Sequence, residues 1–468
     1  MHRTTNHRVG LSPGQRLILM PLLAAALWGL PRETHAAVAP AEDDSADATT
    51  GATTGEAAPR LAMHGQATIV EQATDGFHAP YEGRNSLSAH IARETLDVTL
   101  ILGARLWQGA EAWASPEIDQ GFGLDDTLGM AGFPSGEAYK VGSSRPYFRL
   151  PRLYVRQTVN LGQPAESVGN AANQFAGPRS DDRWVFTLGK FGVTDVFDSN
   201  QYAHDPRGDF LNWTAVDAGT FDYAADAWGF SVGATAERYV GAWAFRAGLF
   251  DLSIIPNSPT LDPGLHQFQM LAELERRYTI FGQSGRVMLT GYDSRARLGL
   301  LDAAIALAEA THTTPDTSLV RQYRSRLGLS LDLEQPLADD AGVFARIGKA
   351  GGNVEADEFT DVDRSVAIGV SVKGTRWRRP TDTVGLALMD NAISGEREHY
   401  LALGGLGILV GDGRLAHPGT EQILETYYRI GWAEWAHVSF DYQWARNPAY
   451  NSDRGPVSIF AVRLHAEF

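Results

Sequence analysis

The chain has 468 residues, no cysteine, a net charge of −16 at pH 7 and 44% hydrophobic side chains. These values exclude disulfide frameworks and thiol chemistry, and the acidic balance opposes nucleic-acid binding, which needs a basic face. No stretch beyond the first residues is a long uninterrupted apolar run, so a bundle of membrane helices is excluded, leaving a soluble exported protein or a β-barrel.

Taken in chain order, residues 1–36 read as an export signal. Arg3, Arg8 and Arg16 precede the apolar core Leu17 to Leu30, and the small-residue spacing ending at Ala36 predicts cleavage before Ala37. That core falls short of the roughly 20 residues a spanning helix needs. Residues 37–60 are rich in Ala, Thr and Gly, carry Glu42, Asp43, Asp44, Asp47 and Glu56, and have no hydrophobic periodicity. They are expected to form a disordered acidic leader.

From residue 61 to residue 468 the pattern is a strand pattern of period two. Trp228, Phe230, Val232 and Ala234 alternate with Gly229, Ser231, Gly233 and Thr235, and Trp243, Phe245, Ala247 and Leu249 follow. Leu327, Leu329, Leu331 and Leu333 alternate with Gly328, Ser330, Asp332 and Glu334, and Val366, Ile368, Val370 and Val372 with Ala367, Gly369, Ser371 and Lys373. The chain closes on Phe460, Val462, Leu464, Ala466 and Phe468, alternating with Ile459, Ala461, Arg463, His465 and Glu467. A spanning barrel needs this dyad repeat, with lipid outside and water inside. Small Gly and Ser on the polar face are expected to leave the lumen open. Trp107, Trp113, Trp184, Trp228, Trp243, Trp432, Trp435 and Trp444 fall at or within strands, as an interfacial aromatic belt would place them. Connections differ in length: 240–243 and 431–435 read as periplasmic turns, and 195–222, 254–266 and 391–420 as extracellular loops. The Gly-rich run 400–413 is expected to pack as a short helix at the barrel mouth.

Several segments together resemble the carbohydrate-selective porin family (OprB type). They are HGQATIVEQ (64–72), APYEGRNSLS (79–88), GARLWQGAEAW (103–113), GFPSGEAYK (132–140), RLYVRQT (152–158), HDPRGDFLNW (204–213), EQILETYYR (421–429) and DYQWARNPAYNSDRGPVSIF (441–460), and they run in family order. The resemblance implies an all-β fold, a transmembrane antiparallel barrel of sixteen strands in the bacterial outer membrane. It also implies passive entry of sugars and other small polar solutes, with inward-folded loops narrowing a channel lined by Arg, acidic and aromatic side chains.

Parity within strands nominates lumen residues. Leu153 and Val155 face lipid, so Arg152, Tyr154 and Arg156 face inward. Arg105 and Trp107 share one parity of the early hairpin, and Glu111, Trp113 and Glu117 that of its returning strand. Arg324, Arg326, Asp332 and Glu334 form another inward row, and Glu425, Tyr427 and Arg429 a third. Asp205, Arg207 and Asp209 join them if their loop folds inward; a loop salt bridge explains these three equally well. Charged groups beside aromatic planes suit the hydroxyls and apolar ring face of a sugar, held weakly enough to permit exit.

No H-E-x-x-H, Cys-His ligand set or G-x-G-x-x-G pattern occurs, so neither a catalytic site, a metal nor a cofactor is expected. The expected partners are sugars, small polar solutes and outer-membrane lipid, with a homotrimer left open. An anion-preferring or general diffusion porin, a plugged barrel adhesin and an outer-membrane enzyme stand as alternatives.

Overall fold

The computed structural model describes residues 59–138, 141–280 and 282–468. The expected signal peptide, and the leader up to residue 58, lie outside the described residues. From Leu61 onward the chain forms a closed antiparallel barrel of sixteen strands and one small two-stranded hairpin.

The strands obey the dyad pattern. In chain order they are β1 (Leu61–Thr74), β2 (Ala92–Trp107), β3 (Ala110–Gly121), β4 (Ser143–Asn160), the hairpin strands β5 (Glu166–Val168) and β6 (Gly177–Arg179), β7 (Arg183–Phe191), β8 (Ser231–Val240) and β9 (Trp243–Asp251). Then come β10 (Phe268–Ile280), β11 (Gln283–Leu298), β12 (Gln322–Ala338), β13 (Ala341–Ala350), β14 (Arg364–Gly374), β15 (Arg379–Ala392), β16 (Glu421–Ala433), β17 (Ala436–Arg446) and β18 (Val457–Glu467). Apart from the β4–β7 pairing that bypasses the hairpin, each strand pairs with its sequence neighbours, and β18 closes on β1. The terminal residue completes that seam: Gly65 N–H donates to the Phe468 carbonyl at 3.0 Å and Phe468 N–H to the Gly65 carbonyl at 2.9 Å.

The outward parity carries apolar, exposed stripes. Leu327, Leu329 and Leu331 on β12, Val366 and Ile368 on β14, and Phe460 and Val462 on β18 all stand free of the protein interior, while Ser330, Ala367 and Ala461 between them are buried. The apolar stripes therefore face hydrocarbon rather than each other. Trp107, Trp184, Trp243, Trp377, Trp432 and Trp435 all sit at the rim that carries the short turns, where indole rings gather at a membrane interface. By the usual asymmetry of such barrels this is the periplasmic rim.

Three expectations change. Trp228 and Phe230 do not continue the lipid face of β8; the strand begins at Ser231 and both rings turn into the mouth beside Arg149. The Gly-rich run 400–413 contributes only its first residues to a helix, Gly395–Ala402, because Ser394 caps that helix through the Arg397 N–H at 3.1 Å and the glycines beyond Leu403 cannot sustain it. The inward glycines do not hold the lumen open. A Cβ at Gly328 would lie 2.1 Å from the Tyr292 ring and one at Gly369 2.3 Å from that of Phe344, so each glycine is the bed of a ring from the adjacent strand.

Candidate functional site: the channel constriction

The long connection between β7 and β8, residues 192–230, leaves the wall at β7 and crosses to the opposite side of the ring. Its local structure explains the inward course. Asn212 caps a single helical turn, Trp213–Val216, and the segment's rings pack on neighbouring loops, with Trp213 stacked on Phe133 at 5.3 Å and Tyr223 against Phe359 at 4.6 Å. Hydrogen bonds to inward-facing side chains then fix it. Glu425 on β16 accepts the N–H groups of Leu211 and Asn212, the latter at 3.0 Å. Arg346 on β13 donates to the Ala215 carbonyl at 2.6 Å, and Arg463 on β18 to the carbonyls of Pro206 and Asp209. Arg326 on β12 pairs with Asp222 at 2.5 Å, and Asp222 also accepts the backbone N–H groups of Asp357, Glu358, Phe359 and Thr360, tying the loop between β13 and β14 to the same point. Burial pushes the Asp222 carboxyl up, but Arg326 and these amides outweigh it and hold the group below the ordinary carboxylate range.

Between this loop and the β3–β4 wall lies a cavity of about 160 Å³. The wall supplies Glu117, Arg149 and Arg152, the crossing loop supplies Asp195, His204, Arg207, Trp228 and Phe230, and the loop after β3 supplies Phe133 and Glu137. Every guanidinium here is paired. Arg152 forms a two-pronged bridge to Asp195 at 2.8 and 2.6 Å. Arg149 binds Asp119, and Glu117 at 2.7 Å. Arg207 lies 3.6 Å from Glu137 and 3.9 Å from Asp97. The planar cations also lie against rings: Arg149 is 5.1 Å from the Trp228 centroid, and Arg152 5.0 Å from that of Phe230. Burial raises the Asp195 carboxyl, yet Arg152 dominates and leaves it below its usual value, so the bridge is ionised at neutral pH.

Most residues nominated by parity fall into three groups. Arg152 and Glu117 line the cavity. Arg105, Glu111, Trp113 and Arg156 meet nearer the periplasmic rim, where Glu111 accepts from Trp113 Nε1 and from Arg156, both at 3.0 Å; Tyr154 lies between the two groups, its ring 5.8 Å from Phe191. Arg326, Asp332, Glu334, Glu425, Tyr427 and Arg429 lie beneath the crossing loop. There Asp332 accepts from Asn200 at 2.8 Å, Glu334 from the Gln201 N–H at 2.7 Å, and Arg429 reaches the Gly208 carbonyl at 3.3 Å. Arg324 stands near the start of β12 beside Gln322 at 3.4 Å. Trp107 joins none of these groups: it is 64% exposed at the turn after β2 and donates to Gln157 at 2.8 Å, because a register shift between Arg105 and Trp107 breaks the parity that related them.

Sequence reasoning missed Arg149, Glu137 and Asp195. Counting back from Arg152 in steps of two puts Arg149 on the lipid face. A bulge opposes Ser115 to Arg152 and Glu117 to Arg149, and the extra residue at Leu150–Pro151 turns Arg149 inward. Pro151, which cannot donate to a ladder, was the available signal. Glu137 and Asp195 sit in loops, where parity carries no information.

A closed sixteen-strand barrel with lipid-facing stripes and one loop drawn across its lumen is the architecture of an outer-membrane porin. A profile of the carbohydrate-selective porin, OprB family, matches residues 85–468, and the chain belongs to that family. Among solved structures it resembles the high-pH structure of Pseudomonas putida OprB, with 15% identity over 87% of this chain and 94% of that one and a TM-score of 0.67. The low-pH structure of the same protein aligns at 12% identity over 87% and 93% of the two chains, TM-score 0.49. The outer-membrane channel DcaP of Acinetobacter baumannii aligns at 9% over 87% and 97%, TM-score 0.47. No curated protein matches the chain. The protein is an outer-membrane porin through which sugars diffuse.

Proposed function

We propose that selection among solutes takes place at the cavity between the crossing loop and the β3–β4 wall, and that it favours neutral, hydroxylated solutes over ions. The observation that carries this is the pairing of Arg149, Arg152 and Arg207, each with a carboxylate, while Trp228 and Phe230 lie against the first two guanidinium planes. Paired charges present many donors and acceptors to sugar hydroxyls with little net field, and the rings present a surface to the apolar face of a pyranose. The anion-preferring alternative is disfavoured by the same arrangement, since Glu117, Asp119, Glu137 and Asp195 outnumber the three arginines.

Export by the N-terminal signal, cleaved before Ala37, and lipid contact along the outward stripes complete the reading. Swelling of protein-loaded liposomes in monosaccharides and oligosaccharides of graded size tests it, together with block of single-channel current by the same sugars. A channel that conducts salt but neither admits nor is blocked by any sugar would remove the proposal. Amino-terminal sequencing of the membrane-extracted protein tests the cleavage site.

A further inference from the structure

At the periplasmic rim, six of the seven connections between neighbouring barrel strands are tight turns, the longest being 375–378. The exception joins β4 to β7. Residues 161–182 leave the rim at Asn160, form the β5–β6 hairpin and return at Arg183. The hairpin's turn does not hang free. Phe175 is buried against Trp113, an inward residue of β3, with ring centroids 5.0 Å apart, and the Arg105 guanidinium of β2 lies 4.6 Å from the Phe175 ring centroid. Arg105 donates to the Ala176 carbonyl and Arg156 to that of Asn173. Side chains from three adjacent strands thus draw residues 173–176 under the rim and into the lumen.

We infer that this segment is a second narrowing of the channel, on its periplasmic side, where hydroxylated solutes are held once more before release. The inference rests on the diffusion reading above. Arg156 lies four residues beyond Arg152 on β4, so the two stations are about 13 Å apart along one strand. Unlike Phe175 and Trp113, the charged groups stay accessible: the Arg156 and Glu111 side chains are 27% and 20% exposed. A donor, an acceptor and a wall of fixed rings make a polar contact point of the same chemical kind as the first, so a sugar leaving one meets the other.

The test uses the whole protein in planar bilayers of known orientation. Replacing residues 163–180 by a short turn should raise single-channel conductance and abolish the block by sugar added on the periplasmic side, while block from the extracellular side persists. Because the chain has no cysteine, Gln174→Cys and Glu166→Cys each offer one thiol for a bulky maleimide. The adduct at Gln174→Cys should reduce conductance, and that at the exposed Glu166→Cys should not. If the shortened barrel does not assemble, the two thiol variants decide alone. Unchanged conductance and unchanged two-sided block in the shortened protein, or an inert adduct at Gln174→Cys, overturns the second narrowing. Failure of the wild type to respond to sugar from either side instead removes the diffusion reading on which it rests.

Discussion

Two sets of inward arginines share strand parity and residue type yet sit in different surroundings. Arg326 and Arg346, on β12 and β13, have side chains only 0% and 1% exposed and are consumed by the crossing loop. Arg152, on β4, is 18% exposed, pairs with an Asp195 that is itself 31% exposed, and fronts the cavity. The first set is structural because the loop lies on top of it; the second stays accessible because the loop leaves a cavity beside it. An inward charge in this barrel is therefore not by itself a solute contact, and the distinction lies in what covers it.

The comparison breaks most visibly at the covered side. Arg326→Ala leaves the Asp222 carboxylate buried without its cation, which costs roughly 3–5 kcal/mol, and Glu425→Ala strands two loop N–H groups at about 1–3 kcal/mol each. Both variants should unfold at lower temperature in detergent and show noisy, enlarged conductance as the loop loosens; thermal scans and single-channel recordings check this. A native melting profile for Arg326→Ala would erase the difference between the two sets.

On the open side the order reverses, with little effect on stability and more on passage. Trp228→Ala removes the ring beneath Arg149, and a contact worth about 1 kcal/mol corresponds to roughly fivefold weaker sugar block. Arg152→Ala should leave melting nearly unchanged, since a partly exposed pair contributes only about 0–1 kcal/mol. It strands Asp195 as a free anion, so the reversal potential in a salt gradient should move towards cation preference.

The smallest effect is on pH, and it comes from the loop between the two sets. Burial, reinforced by Arg346, lowers His204 to about 4, against about 6.5 in an unfolded chain. The unfolded state then binds more protons between those values, so this contribution to stability is full above pH 6.5 and fades as pH falls towards 4. Asp209 acts in the opposite sense: burial and the neighbouring Asp205 raise it to about 6, so the folded state gains stability as pH falls from 6 towards 4. His204→Gln should remove the first slope and Asp209→Asn the second, read as the change from wild-type melting temperatures across pH 4–7.

The barrel is legible in the chain residue by residue. Alternation such as that of Leu327, Leu329 and Leu331 is a local property of a strand between lipid and water, so it is written residue by residue, and the inward parity of Arg152, Arg326 and Glu425 comes from the same rule. Tertiary structure alone decided which of those inward groups face the channel. The crossing loop reaches Glu425 and Arg463 from more than two hundred residues away, a bulge at Leu150–Pro151 brings Arg149 into the lumen, and the turn at 173–176 covers Trp113 from a rim where tight turns are the rule. Those placements depend on long-range hydrogen bonds and packing between segments whose separation in sequence carries no periodic signal, and only the closed ring brings them together.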